Sequence, residues 1–552
     1  MAEGDDPPKM RWWGWGDPAH AAGLRPHTLS FLADAVGIAD RPRPPVALEH
    51  VRLQQPALDL AALEALRALA GRDGVRDDHA ARVEHAAGRG YPDLVRLRAG
   101  EPEGAPDAVV YPEAHDQVRA VLDLCARLRI AVVPFGGGTS VVGGVSPLRG
   151  EQHGVIALDM SRVRRLFSLD RDSMTVQVGA GVRAPDLERR LGEAGLTLGH
   201  FPQSFEYVSL GGCAATRSAG QSSTGYGSIE KMVLGMRFAA PAGDIQLHAQ
   251  PASAAGPSLR QLLIGSEGTL GVISELSLRV RPAPQERVYE GVFFECFADG
   301  ARVMRMLAQQ HAAPDVARLS DEAETRMSLA LAGTGSLKDR VGRAYLGLRG
   351  YREGCLAILG FEGELEEVHV RRARALALVR DGGGLPVGRS PGEAWLKGRF
   401  LAPYLRDELL TQGVMVETLE TATQWSNLGR LHDAIGRAIA EALSACATPG
   451  LVMCHVSHLY ESGASLYFTF IARMLEEDPI GQWRTVKESA SRAIVEGGGT
   501  ITHHHAVGVD HARFMNREVG GEGVAVLRAL KSELDPAGIM NPGKLLALTP
   551  RG

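Results

Sequence analysis

Residues 134–144 read PFGGGTSVVGG, in which the apolar run 131–135, a short strand by its composition, passes straight into three glycines and two hydroxyl residues. Such a loop is suited to holding an anion. Consecutive glycines reach backbone conformations closed to other residues and carry no Cβ, so several N–H groups can converge on phosphate oxygens, and Thr139 and Ser140 add hydroxyl donors. Two better-known phosphate loops are excluded. No Lys follows, as a Walker loop requires, and Gly136-Gly137-Gly138-Thr139-Ser140-Val141 lacks the last glycine of the dinucleotide fingerprint. Taken alone, the cluster fits a flexible turn equally well.

Two later stretches change that balance: residues 199–227, GHFPQSFEYVSLGGCAATRSAGQSSTGYG, and residues 264–273, IGSEGTLGVI. In this order the three resemble the flavoprotein superfamily of vanillyl-alcohol oxidase and p-cresol methylhydroxylase. The resemblance implies an α+β fold, with a two-subdomain PCMH-type FAD-binding domain, an α+β cap over the substrate, an N-terminal helical segment and a C-terminal segment that returns to the FAD domain. In oxidases of this superfamily a histidine can bond the flavin covalently, whereas the closer resemblance, to a synthase subgroup, implies FAD held without a covalent bond. Pro134, Phe135, Gly136, Gly137, Gly138, Thr139 and Ser140 then wrap the pyrophosphate. Gln203, Ser204, Phe205, Glu206, Tyr207, Val208 and Ser209, with Thr216, Arg217, Ser218 and Ala219, and Glu267, Gly268, Thr269, Leu270, Gly271, Val272 and Ile273, line the rest of the cofactor. His200 corresponds to a family histidine near the flavin. The physics agrees, because small residues at 211, 212, 214, 215 and 220 permit the close approach of a flat ligand.

Working outward, 552 residues exceed what one core usually supports, and two or more domains are expected. A net charge of −5 offers no basic excess for nucleic acid. Six scattered cysteines show no CxxC pair or zinc spacing, so the sequence gives no metal site and points to a reducing compartment. The start, MAEGDDPPKM, lacks the basic and apolar regions of a signal peptide, and the end, TPRG, is not a peroxisomal address. A cytoplasmic, unsecreted protein without a transmembrane helix is expected.

Along the chain, residues 1–90 read as an arm plus helical segment, 91–283 as the FAD domain, 284–470 as the cap and 471–552 as a helical segment packing back at the FAD domain. Trp12, Trp13 and Trp15 in RWWGWGDPAH fasten the arm. Leu60, Leu63, Leu66 and Leu69 suggest one helix over 56–88, and Val118, Val121, Leu122, Cys125 and Leu128 another before the glycine loop. Strands are expected at 154–159, 164–169, 173–178, 232–239, 271–281 and 288–297. Helices are expected at 186–194, 301–310 and 488–496.

The reactive residues emerge from a closer resemblance, to alkyldihydroxyacetonephosphate synthases, which open with a WxGWG element and carry HHHGVG where this chain has His503, His504, His505, Ala506, Val507 and Gly508. Three consecutive histidines in an extended segment alternate direction and cannot all grip one ion. Imidazoles do suit proton transfer and phosphate binding. In CHVSHLYESGASLYFTF, residues 454–470, alternation of Leu466, Phe468 and Phe470 with Tyr467 and Thr469 suggests a strand. Tyr467 stands where the family has its proton donor or acceptor, and His455 stands where the family has Arg. Arg406 and Arg318 correspond to family arginines that hold the anionic end of the substrate, a task suited to a planar fork of donors.

The resemblance implies the exchange of the acyl chain of acyl-dihydroxyacetone phosphate for a long-chain alcohol, redox-neutral through a flavin N5 adduct, in ether lipid synthesis. Two other readings stay open: an FAD-dependent oxidase or dehydrogenase of a 2-hydroxy acid, supported by the tail NPGKLL, and a non-catalytic flavin- or lipid-binding protein. Small lipid substrates and a homodimer are implied partners. Because such substrates partition into lipid, a peripheral membrane contact is expected, although no basic amphipathic segment marks it in this reading.

Overall fold

The strands that lead into the glycine loop fix where it sits. The computed structural model describes residues 10–17, 23–332 and 337–548. The acidic first residues and the last four, which bear on export and targeting, lie outside them. β1 (Val75–Arg76), β2 (Ala108–Val110), β3 (Ile130–Phe135) and β4 (Gly154–Asp159) form a sheet in the order β1-β2-β4-β3, parallel except for β1. Helix His115–Leu128 crosses from β2 to β3 and buries Val118, Val121, Leu122 and Cys125 completely at helical spacing. Leu128 is 40% exposed, at the point where Arg129 turns left-handed and ends the helix. The glycine loop therefore leaves the C-terminal end of a buried parallel strand, the usual ligand-facing end.

A second, antiparallel sheet follows: β5 (Leu166–Asp170), β6 (Thr175–Gly179), β8 (Val233–Ala240), β9 (Gly243–Leu247) and β10 (Val272–Arg279), in the order β5-β6-β10-β8-β9. The short pair β7 (Leu196–Thr197) and β11 (Arg281–Pro282) joins it to the cap. β5, β6, β8 and β10, and helix Ala184–Glu193, coincide with the expected elements to within a few residues, whereas β7 and β9 have no counterpart among them and β11 is a separate strand beyond the end of β10.

The expected single helix over 56–88 is instead two. Asp59 caps Leu60–Ala70 by accepting Ala62 N–H at 2.8 Å, Gly71 at φ 82° ends it, and Asp78 caps His79–Glu84. Leu63 and Leu66 pack against helix His115–Leu128, and β1 pairs with β2, so residues 60–90 are part of the first subdomain and not of a separate arm. The arm itself is a wedge. Trp15 N–H donates to Asp407 at 2.5 Å, its indole meets Tyr207 edge-on at 5.5 Å, and Gly16 at φ 64° lies where a Cβ would fall 2.1 Å from the Tyr404 hydroxyl.

The cap is built on seven antiparallel strands, β12 (Glu286–Phe294), β13 (Val316–Ser320), β14 (Cys355–Gly363), β15 (Leu385–Gly388), β16 (Val414–Gln424), β17 (Gly450–Leu459) and β18 (Gly463–Arg473), in the order β15-β12-β14-β13-β17-β18-β16. Helices Phe297–Gln309, Leu365–Asp381, Leu428–Ala445 and Pro479–Glu496 cover one face in a continuous apolar core. β12 stops at Phe294, short of 297, and the next helix starts at Phe297 instead of 301. Helix Pro479–Glu496 begins well before 488, and because it and the end of β18 share the cap's core, the cap continues past 470. Residues 454–470 span the hairpin β17–β18. The tail does return to the FAD domain, where Val132 N–H donates to Ile539 at 2.8 Å and Asn541 N–H to Val132 at 2.9 Å.

Candidate active site

One cavity of about 580 Å³ runs from the glycine loop to the uncovered face of the cap sheet. Pro134 to Ser140 all line it, as do Gln203, Ser204, Val208, Ser209, Thr216, Ser218, Ala219, Glu267, Gly268, Gly271, Val272 and Ile273. His200, Phe205, Glu206, Tyr207, Arg217, Thr269 and Leu270 do not. His200 is fully buried behind the wall and bonds Ser218 Oγ at 3.2 Å, Tyr207 and Glu206 meet Trp15, and Arg217 pairs with Glu230 at 2.5 Å. Among the described residues, the amides of 137–140 donate to nothing, Ser140 Oγ accepts Gly144 N–H at 2.9 Å to set the loop's curve, and the buried Gln221 Oε1 and Ser266 Oγ on the same wall have no partner. Free amides, small residues and unpaired polar atoms on one wall fit a dinucleotide with its pyrophosphate at the loop.

The opposite wall follows from strand periodicity. Along β18, Leu466, Phe468 and Phe470 enter the core, which turns Tyr467, Thr469 and Ile471 to the cavity; in the same way β17 presents Met453, His455 and Ser457, and β13 presents Arg318. Tyr467 lies directly across from His455 on one side and Glu420 on the other. The His455 ring stacks on Tyr467 at 4.9 Å and is bonded at both nitrogens, to Arg318 Nη1 and to Glu324 Oε1, each at 3.0 Å. Since Arg318 can only donate, His455 Nε2 accepts, Nδ1–H donates to Glu324, and the ring is neutral. Arg318 also meets Glu324 at 2.7 Å, so its charge is balanced within the protein. Arg406 donates to the Arg89 carbonyl at 2.7 Å and meets Asp407 at the longer distance of 3.5 Å, and its buried Nε has no partner, which leaves that N–H as the donor open to an anion. Burial raises the Tyr467 phenol to about 12, and it carries its proton at neutral pH.

The triple histidine is neither strand nor helix. It is an irregular loop gathered on the buried Glu420 carboxylate, which accepts the amides of His503 at 2.5 Å, His504 at 3.0 Å and His505 at 2.8 Å and the Thr502 hydroxyl at 2.7 Å. Farther on, Val507 and Gly508 donate to Glu267 at 2.9 and 2.7 Å. The loop thereby ties the cap to the cofactor wall. His504 and His505 line the cavity, with their rings 6.0 and 5.4 Å from Tyr467; His503 does not, and meets the Tyr460 hydroxyl at 2.5 Å. His458, missed in the sequence, lines the cavity; its Nε2–H donates to the Gly220 carbonyl at 3.0 Å, and its Nδ1 accepts from the Ser457 hydroxyl at 2.9 Å. With His503 and His504 it places ring nitrogens within 4.8 Å of one another, the one such group among the described residues. His503 and His504 already bond each other at 2.9 Å and His458 bonds Gly220 at 3.0 Å, so these nitrogens are satisfied without an ion.

Burial holds His200 and His503 down to about 4, and His458, His504 and His511 down to about 3. Each becomes charged near 6.5 once unfolded, so the unfolded chain binds more protons at any pH between these values. Their stabilisation is complete above about pH 6.5 and is lost as pH falls. Calorimetry is therefore expected to show a melting temperature that drops between about pH 7 and pH 5. A melting temperature unchanged over that range would contradict the buried neutral imidazoles.

Beyond Tyr467 the cavity becomes apolar. Leu32 of helix Pro26–Ala35, Met327 and Leu331 of helix Glu322–Ala332, Leu409 of helix Ala402–Thr411, and Met453 and Ile471 of the sheet surround this limb. The contribution of residues near 32 and 327 to the cavity carried no signal in the sequence, because an apolar wall residue is indistinguishable there from a core residue.

A family profile described as FAD binding domain matches residues 106–247, and one described as FAD linked oxidases, C-terminal domain, matches residues 283–545. The sequence is 30% identical to the alkyldihydroxyacetonephosphate synthase of Dictyostelium discoideum and 32% identical to that of Trypanosoma brucei brucei, each over 98% of this chain and 93% of the relative. It is 29% identical to a mitochondrial D-lactate dehydrogenase (cytochrome) of Arabidopsis thaliana over 80% of this chain and 73% of that one. A solved alkyldihydroxyacetonephosphate synthase superposes with a TM-score of 0.84 at 28% identity, covering 97% of this chain and 99% of the other. p-Cresol methylhydroxylase shares the fold at a TM-score of 0.68 and 17% identity, over 89% of this chain and 98% of the other.

Proposed function

Because this chain belongs to the alkyldihydroxyacetonephosphate synthase family, we propose that it is an FAD-dependent enzyme that replaces the acyl chain of acyl-dihydroxyacetone phosphate with a long-chain alcohol. One observation carries the reading: the cofactor wall, the Tyr467 wall and an apolar limb enclose a single space. Bound FAD supplies a redox-neutral nucleophile for the exchange. The protein supplies the rest. Arg406 binds the phosphate, with Arg318 as a balanced neighbour within the Arg318–His455–Glu324 group. The carbon–oxygen bond to the acyl chain breaks, a carboxylate leaves, and the alcohol oxygen forms the new bond as it loses its proton.

Tyr467 enters this cycle protonated and exchanges the proton at the reacting carbon, with the neutral His504 and His505 as acceptors beside it. The apolar limb takes the acyl or alkyl chain, where each buried methylene contributes about 0.8 kcal/mol. The six cysteines are all unpaired, which supports the reducing cytoplasm as its place; a homodimer rests on the resemblance alone. Among the described residues no helix is long and apolar enough to cross a membrane.

Incubation with palmitoyl-dihydroxyacetone phosphate and labelled hexadecanol, with no electron acceptor, is expected to yield labelled ether product. Flavin bleaching by D-lactate or glycolate with no ether formed would replace this reading with hydroxy-acid oxidation.

A further inference from the structure

Arg89 is a buried charge without a counterion. It is 3% exposed and lines the cavity, and among the described residues no carboxylate stands within ion-pair distance of it. Carbonyls hold its guanidinium instead: Nε donates to Gly14 at 2.9 Å, Nη1 to Gly88 at 2.7 Å and to Ala87 at 3.4 Å, and Nη2 to Arg11 at 2.9 Å. Carbonyl dipoles satisfy the donors and leave the full charge in place. Burial lowers this guanidinium to about 10, with the adjacent Arg406 adding to the effect, so it stays protonated at neutral pH. Such a charge is costly to bury unless an opposite charge meets it.

The backbone of the same residue fixes where that charge acts. Arg89 N–H donates to the Ser140 carbonyl at 2.6 Å and the Arg89 carbonyl accepts Arg406 Nη1 at 2.7 Å, so residue 89 joins the glycine loop to Arg406. The carboxylates that act on Arg89 are already engaged. Asp407 accepts the Trp15 N–H and meets Arg406 at 3.5 Å, and Asp93 accepts the Gly90 N–H at 3.2 Å. On the cap wall the opposite holds: Arg318 is paired with Glu324 at 2.7 Å, and His455, where the family has Arg, is neutral.

We propose that Arg89 supplies the second positive charge of the phosphate subsite, beside Arg406, and so replaces the cation that the cap sheet lacks at His455. A phosphomonoester carries between one and two negative charges at neutral pH, more than Arg406 alone balances. Arg406 makes the contact through its free Nε, and Arg89 acts through its charge. The identity of the ligand rests on the proposed lipid exchange; the positive pole rests on burial and partners. The FAD pyrophosphate is the other phosphate near the loop, and it already faces the amides of 137–140.

The test is titration of the full FAD-loaded protein, followed by flavin absorbance, with the octyl ether of dihydroxyacetone phosphate and with the same ether lacking phosphate. The wild type is expected to prefer the phosphorylated ligand. Arg89→Gln should weaken that ligand by about 10–100-fold and leave the neutral ether unchanged, while Arg89→Lys, which restores the charge but not the carbonyl fork, should recover most of the preference. Equal weakening of both ligands in both variants would make the role structural and overturn the subsite. So would an unchanged preference in Arg89→Gln, or a loss confined to FAD affinity, which gives the charge to the cofactor. Should Arg89→Gln not fold, a folded Arg89→Lys protein without the preference overturns it equally. A charge-dependent preference with no ether formed from acyl-dihydroxyacetone phosphate overturns the proposed exchange and leaves the subsite standing.

Discussion

Tyr467→Phe is expected to lower ether formation by about 10²–10⁴-fold, the usual contribution of a positioned acid or base, with FAD still bound. The change removes one oxygen and keeps the ring, so the stack on His455 at 4.9 Å and the packing of β18 between β16 and β17 survive. Only the proton is lost. Neither His504 nor His505 replaces it, because burial holds both below the ordinary histidine value, so each is a neutral imidazole at neutral pH and serves as a proton acceptor, not as an acid. Steady-state rates with labelled hexadecanol, together with the flavin absorbance of the purified variant, check this. A fully active Tyr467→Phe enzyme would remove the phenol from the chemistry.

Gly137→Ala is expected to abolish flavin retention, with FAD affinity lower by on the order of 10²–10³-fold as several charge-assisted hydrogen bonds are lost together. A Cβ at position 137 would lie 2.0 Å from the Tyr207 carbonyl oxygen, 2.8 Å from its carbon and 3.2 Å from Val208 Cα. All three are backbone atoms, so no rotamer change relieves the contact and either the loop or the 202–209 segment must move. That movement separates the amides of 137–140 from the wall they face. Titration of apo-protein with FAD, followed by flavin fluorescence, measures the loss. A yellow Gly137→Ala protein with wild-type affinity would show that the loop is not the cradle.

The sequence carried the cofactor wall well because glycines and small residues are needed there for local reasons that act within a few positions: a loop after a strand and close backbone contact at Gly137. The reactive wall was legible wherever period-two alternation exposed it, which is how Tyr467 could be separated from Phe468. It was less legible where partners come from distant strands. Glu420, Glu324 and His458 read as ordinary polar residues, and only the order β13-β17-β18-β16 brings them to Tyr467 and the histidine loop. The same loop shows why HHH misleads on its own. Glu420 bends it out of the extended form, and Ala506, where the family pattern has glycine, stands at φ 74°, a conformation that costs a non-glycine residue about 1 kcal/mol or more. The helix expected over 56–88 failed at Gly71 and Asp78, two punctuation residues outweighed in that reading by a run of alanine and leucine.

The most direct measurement is a crystal structure of the protein with FAD and a long-chain dihydroxyacetone phosphate ether. The flavin ring should rest against Tyr467, the phosphate on Arg406, and the chain between Leu32, Met327 and Ile471. A flavin seated away from Tyr467, or a chain lying outside that limb, would contradict the shared cavity on which the assignment depends.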